Sequence, residues 1–183
     1  MENKFGFVSL SGRTNVGKST LLNAFFQKKI AITSRKPQTT RNRILGILTE
    51  EKSQIVFLDT PGVHLGYKRQ LNKVMNKIAS HCYEEVDLVL FLIDRFKWQK
   101  EEENILKSLK NLNKPVVLVI NKIDRLRDKT KLLAFIKDIS EKFNFLSIVP
   151  ISALKKDNLM ELKSVILNNL EIGPYHFPED SLT

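Results

Sequence analysis

Five short runs of the chain are almost continuously apolar: residues 5–10, 54–58, 88–93, 116–120 and 146–150. Each is rich in β-branched or aromatic side chains, as expected of strands covered on both faces of a sheet. Between them, helical stretches are expected over residues 18–27, roughly 71–82, 101–112, 129–143 and 159–170. The helical period is clearest where Ile105, Leu109 and Leu112 repeat, and where Leu132, Phe135, Ile136 and Ile139 do. A further strand is expected at 43–48, before a turn over 49–53 short enough to fold it antiparallel onto 54–58. This alternation predicts an α/β three-layer sandwich. Its sheet is mainly parallel, of about six strands with one antiparallel, and helices cover both faces.

Composition adds two things. The length of 183 residues suits one well-buried domain, and no run of eighteen apolar residues exists, so no transmembrane helix is expected. The amino terminus has no signal-peptide core, and Cys82, the single cysteine, cannot form an internal disulfide; a reducing cytoplasm is the natural expectation. Charge is the second. Thirty Lys and Arg against twenty Asp and Glu leave a net +10, which suits a polyanionic partner such as RNA or an anionic membrane surface. Lys28, Lys29, Arg35, Lys36, Arg41 and Arg43 form one acid-free stretch, and Lys68, Arg69, Lys73 and Lys77 a second. A merely solvated basic surface would read the same way.

The chemistry begins at Gly12-Arg13-Thr14-Asn15-Val16-Gly17-Lys18-Ser19, followed by Thr20. It fits G-x-x-x-x-G-K-[ST] directly between a strand and a helix, the sequence form of a P-loop. Glycines let the backbone curl so that successive N–H groups converge on phosphate oxygens, and the helix adds the positive end of its dipole. Lys18 would reach the β- and γ-phosphates and Ser19 would ligate Mg²⁺. Asn121-Lys122-Ile123-Asp124 ends another expected strand. The Asp124 carboxylate can accept from guanine N1–H and the 2-amino group, donors that adenine lacks, which selects GTP over ATP. Asn121 would brace the base and the P-loop, and the Lys122 stem would lie along the purine. Ser152-Ala153-Leu154-Lys155 follows the last strand, where the Ala153 N–H could meet guanine O6. Asp59-Thr60-Pro61-Gly62 ends a further strand: Asp59 would hold Mg²⁺ through water, and the Gly62 N–H would sense the γ-phosphate. Either Thr39 or Thr40 can supply the second hydroxyl to Mg²⁺.

These elements in this order resemble the translation-factor-related (TRAFAC) P-loop GTPases, and within them the Era-like family. The resemblance is carried by residues 12–23, by Ile32-Thr-Ser-Arg-Lys-Pro-Gln-Thr-Thr-Arg41, by Asp59-Thr-Pro-Gly-Val-His64 and by Lys155 after Ser152-Ala153-Leu154. Leu71-Asn-Lys-Val-Met-Asn76 and Tyr175-His-Phe-Pro-Glu-Asp180 extend it over essentially the whole chain. It implies that Thr40 is the Mg²⁺ ligand, that residues 33–43 form switch I and that residues 63 to about 77 form switch II. Lys18, Thr40 and Gly62 would be the catalytic groups, with Thr60, Pro61 and Val63 lining the nucleotide. Asn15 is a candidate K⁺ ligand beside the phosphates, or alternatively only shapes the loop. Residues 1–172 would be the G domain, and 173–183, with two prolines, a linker or ordered arm toward a KH RNA-binding domain not present in the sequence. The implied role is a GTPase switch in assembly of the small ribosomal subunit with 16S rRNA. A peripheral association with the inner face of the cell membrane and a monomeric state go with it.

One departure matters. Val63 follows Gly62 where Ras-like enzymes carry a water-orienting glutamine, so hydrolysis should be slow without a cation or partner. His64 invites a general-base reading, with an exposed switch histidine as the plainer one. Two other functions fit the motifs: a GTPase module of a tRNA-modification or ribosome-assembly factor, and a nucleotide-dependent binder with negligible turnover. Cys82 reads as core, His81 as surface, and Trp98 as a partly covered loop residue or an RNA-stacking platform. Asp94 is open between a structural role and a place near the phosphates.

Overall fold

The computed structural model describes residues 3–26, 43–59, 86–94, 98–126 and 128–177; for Arg43, Asp59 and Lys129 it describes the backbone alone. The expected elements appear in order: β1 (Lys4–Ser11), α1 (Lys18–Phe26), β2 (Arg43–Glu50), β3 (Ser53–Asp59), β4 (Leu88–Ile93) and α2 (Lys100–Lys110). Then follow β5 (Val116–Ile120), a 3₁₀ turn (Ile123–Arg125), α3 (Lys129–Ser140), β6 (Ser147–Pro150), α4 (Leu159–Asn168) and a two-residue β7 (Glu171–Ile172). The helix expected at 71–82 lies outside the described residues, as do Cys82, His81 and His64. The helices stop short of their apolar patterns. Leu112 and Phe143 pack against the core from the turns that follow α2 and α3 rather than from another helical turn.

The sheet runs β2-β3-β1-β4-β5-β6, with β7 pairing β1 beyond this path. β1, β3, β4, β5 and β6 are parallel, and β2 returns antiparallel onto β3 through a turn at Glu51 and Lys52. To the six strands expected the structure adds β7, antiparallel to Lys4 and Phe5. Two residues are too short to leave a periodic signal in sequence.

Alternation along the strands divides the core. Val8, Leu10, Ile55, Phe57, Leu90, Val117 and Val149 face α1 and α4, while Val56, Leu58, Val89, Phe91, Val116 and Leu118 face α2 and α3. Every residue of β4 and β5 is buried, so these strands read as unbroken apolar runs. The parallel register then aligns the strand ends. Leu10 pairs with Asp59, Ser11 with Phe91, Ile93 with Ile120, and Ile120 with Pro150. Gly12, Asp94, Asn121 and Ile151 therefore leave the sheet along one edge. The chain turns to opposite sides of β1 there, the place where open α/β sheets bind ligands.

Past β7 the chain crosses the opposite end of the sheet. Gln54, fully buried within β3, donates to the Phe177 carbonyl at 2.8 Å and to Thr49 Oγ1 at 3.0 Å, and accepts from the His176 and Phe177 amides. The His176 ring stacks on Phe5 with centroids 4.1 Å apart, and Tyr175 Oη donates to the Glu50 carbonyl at 2.7 Å. Residues 173–177 thus form an arm laid on the sheet. The signal for it was a lone glutamine inside an apolar strand.

Candidate nucleotide-binding site

The loop between β1 and α1 is built on conformations that few residues adopt. Gly12 has φ +142° and Gly17 φ +101°. A Cβ at Gly12 would strike the Leu92 carbonyl oxygen, and one at Gly17 would strike Asn121 Nδ2, so both positions need glycine for space as well as for φ. Asn15, with φ 63°, occupies the left-handed region that asparagine tolerates. Val16 is buried and pins the middle of the loop into the core. Lys18 Nζ donates to the carbonyls of Gly12 at 2.8 Å and Arg13 at 2.7 Å, closing the curl. Helix α1 starts at Lys18, and the first-turn amides of Lys18, Ser19 and Thr20 have no carbonyl of their own helix to bond. Thr14, Ser19 and Thr20 are exposed.

Asn121 joins three segments. It is 2% exposed; its Nδ2 donates to the Val16 carbonyl at 2.8 Å, and its Oδ1 accepts from the Lys122 amide at 2.8 Å and the Ala153 amide at 3.0 Å. The P-loop, the end of β5 and the loop after β6 are thereby fixed to one amide group. Lys122, left-handed at φ 66°, sends its ammonium back over the P-loop to the Asn15 carbonyl at 2.6 Å. Asp124, exposed on the 3₁₀ turn, has its Oδ1 held by the Ser152 hydroxyl at 2.5 Å. Ser152 Oγ also accepts from the Lys155 amide at 3.1 Å, and a bridge from Ser152 to Asp157 closes the loop. Leu154 projects from it, 68% exposed. The Ala153 N–H, expected at guanine O6, is given to Asn121 here.

Arg13 turns toward α2. Its Nη2 donates to Asp94 Oδ1 at 2.8 Å and its Nη1 to Glu101 Oε2 at 3.2 Å. Nε stands 2.5 Å from Glu102 Oε1, an ion pair without hydrogen-bond alignment. Burial works against the guanidinium charge, but Glu102 and Asp94 outweigh it and push the pKa further above its ordinary value. Asp94 spends its second oxygen on Lys122 Nζ at 2.6 Å. Glu102 also accepts from the Gln99 amide at 3.1 Å in a capping box, so the carboxylate that meets Arg13 also starts α2. Trp98 packs edge-on against Phe91 and donates to Glu103 at 2.7 Å. Sequence reasoning placed Arg13 among the nucleotide contacts but did not find this cluster. The run Glu101-Glu102-Glu103 at the start of an expected helix was the available hint.

Thr40, Thr60, Pro61, Gly62 and Val63 lie outside the described residues, and Asp59 is placed by its backbone at the end of β3, opposite Leu10. Among the described residues no group of three His, Cys, Asp or Glu side chains could hold a metal. The donors expected here are of another kind: a hydroxyl at Ser19, a second at Thr40, one carboxylate and phosphate oxygens, a set suited to Mg²⁺. The glycine curl and the start of α1 beside Ser19 fit that group.

Comparison with known proteins points to one family. Residues 7–122 match the family model described as "50S ribosome-binding GTPase". GTPase Era of Haemophilus influenzae is 50% identical over 178 residues, which are 97% of this chain and 59% of that protein. The chain therefore spans about three fifths of the length of the curated relatives it matches. Among solved structures, Era in complex with MgGDPNP and nucleotides 1506–1542 of 16S ribosomal RNA superposes with a TM-score of 0.83. It is 44% identical, over 98% of this chain and 61% of that one. An Aquifex aeolicus Era variant bound to GDP·AlF₄⁻ gives a TM-score of 0.81 at 45% identity, over 98% and 62% of the two chains. With that family model matched over more than half of its length, the chain belongs to the 50S ribosome-binding GTPase family.

Proposed function

We propose that this chain is a Mg²⁺-dependent switch that binds and hydrolyses GTP and serves small-subunit assembly through 16S rRNA. One observation carries the nucleotide assignment. Ser152 orients the Asp124 carboxylate at 2.5 Å on a segment that Asn121 ties to the P-loop. A carboxylate oriented in this way accepts from guanine N1–H and the 2-amino group, while adenine would leave it unpaired. Ala153 would share its N–H between Asn121 and guanine O6, flanked by Leu154.

The phosphates would lie in the curl of residues 12–17, against the first-turn amides of α1 and the Lys18 ammonium. Ser19, Thr40 and Asp59 would hold Mg²⁺, which when bound would offset phosphate charge. Hydrolysis is addition of water to the γ-phosphorus as the bond to the β–γ bridging oxygen breaks. Lys18, the Gly62 N–H and Thr40 would oppose charge on the phosphoryl oxygens. Val63 cannot orient water, so unaided turnover is slow. Asn15 is the candidate ligand for K⁺, a cation that would supply the charge an arginine finger supplies elsewhere.

The Era–rRNA complex and the net charge of +10 support RNA as partner. Residues 1–172 are then the nucleotide unit and 173–183 the stretch leading out of it. We place the protein in the cytoplasm as a monomer, with peripheral contact to the inner membrane face as a second location. Fluorescent GDP should bind with Mg²⁺-dependent affinity, and phosphate release should be slow and faster in K⁺ than in Na⁺. Absence of turnover in either salt, with ribosomal subunits present, would leave a nucleotide-dependent binder instead. RNA from the 3′ end of the small-subunit rRNA should be retained in a nucleotide-dependent manner in filter binding by the full-length protein; unchanged retention argues against the assembly role.

A further inference from the structure

Asp94 belongs to none of the nucleotide motifs, yet each oxygen of its carboxylate is bonded to a different one. Oδ1 accepts from Arg13 of the P-loop at 2.8 Å and Oδ2 from Lys122 of the Asn121–Asp124 motif at 2.6 Å. Its side chain is only 15% exposed, so these bonds face little competition from water. We propose that Asp94 is a positioning residue that couples purine recognition to phosphate binding by holding Lys122 and Arg13 on one carboxylate. The inference rests on the guanine-nucleotide reading above and deepens it.

The asymmetry between the two cations decides how Asp94 acts. Arg13 has two further carboxylates beside it, Glu101 at 3.2 Å and Glu102 at 2.5 Å. Lys122 has the Asn15 carbonyl at 2.6 Å and the Asp94 carboxylate, the one charged group that the described residues bring to it. A lysine side chain has much rotamer freedom to lose, and a charge-assisted bond at its tip is what keeps the stem in one path. That path runs beside Gly17, whose added Cβ would come 4.0 Å from Lys122 Cε. Without the carboxylate the ammonium can leave for water, and the stem no longer forms a fixed wall for the purine. Loss of Asp94 is therefore felt through Lys122.

A mutant cycle on guanine nucleotide binding tests this. D94N should weaken GDP binding about tenfold, chiefly through faster release, the scale of one charge-assisted hydrogen bond. D94E, which keeps the carboxylate, should recover most of that loss. In a K122A background the D94N change should cost about twofold or less. The proposal is overturned by GDP affinity unchanged in D94N, or by a loss that multiplies in full on K122A. It is equally overturned if D94N only lowers the folded fraction and leaves the release rate of bound GDP alone. A parent chain that binds no GDP overturns the guanine reading itself, and this one with it.

Discussion

The Asn121 side-chain amide donates to the Val16 carbonyl across 2.8 Å, and this bond fixes the spacing between the P-loop and the base-recognition segment. Both groups are buried, so neither can turn to water if the other is lost. The same side chain accepts from Ala153, so the three loops of the site share one anchor.

Asn121→Ala should therefore damage both folding and binding. It leaves the Val16 carbonyl and the Ala153 amide unpaired in a buried place, at about 2–4 kcal/mol. Chemical denaturation should show a lower midpoint with little change in slope, and calorimetry should show GDP binding lost. A midpoint equal to the parent's would contradict the anchor role.

Gly17→Ala tests the P-loop curl without removing a polar group. The new methyl meets Asn121 Nδ2 at a residue with φ +101°, so it must displace the very side chain that holds the loop. Nucleotide affinity should fall by about a hundredfold or more, on the scale of about 3 kcal/mol for strain at a special backbone position. Gly173→Ala, with nothing within 4 Å, serves as the control and should bind normally.

Asp124→Asn exchanges an acceptor for a donor and should move preference from guanine to xanthine nucleotides. Competition between GDP and XDP for the protein reads this directly. Ser152→Ala removes the 2.5 Å bond that orients Asp124 and should weaken GDP binding about three- to tenfold while keeping the guanine preference. Unchanged GDP preference in D124N would end the assignment of this residue to the base.

Gln54→Leu should release the arm at the far end of the sheet. The buried amide now serves the Phe177 carbonyl and amide, and removing it costs about 2 kcal/mol. Hydrogen exchange at His176 and Phe177 should quicken, while GDP affinity stays at the parent value because the arm lies opposite the site.

Asp128 caps α3, accepting from the Thr130 amide at 2.9 Å and the Thr130 hydroxyl at 2.6 Å. The Thr130 bonds hold its pKa below the ordinary carboxylate value. A depressed carboxylate pKa means that its stabilising contribution is present above the unfolded-chain value, about 3.9, and is lost as pH falls through the folded value. Parent and D128A should thus differ in thermal midpoint near neutral pH and converge in acid. A difference that persists undiminished at low pH would exclude the charged cap.

Much of this protein was set by local sequence. Unbroken, β-branched apolar runs such as 88–93 and 116–120 read as buried strands, and Gly12–Ser19 between a strand and a helix reads as a phosphate-binding curl, because steric limits on φ and helix geometry act over a few residues. The same holds for Asn121 and Asp124, whose chemistry travels with their identity. What needed the tertiary structure were pairings between residues far apart in the chain: Asp94 with Arg13 and Lys122, Ser152 with Asp124, Gln54 with Phe177. A carboxylate at a strand end or a glutamine in a strand has no fixed partner in sequence. Its partner is decided by which strands are neighbours and in what register, and that depends on packing of the whole sheet.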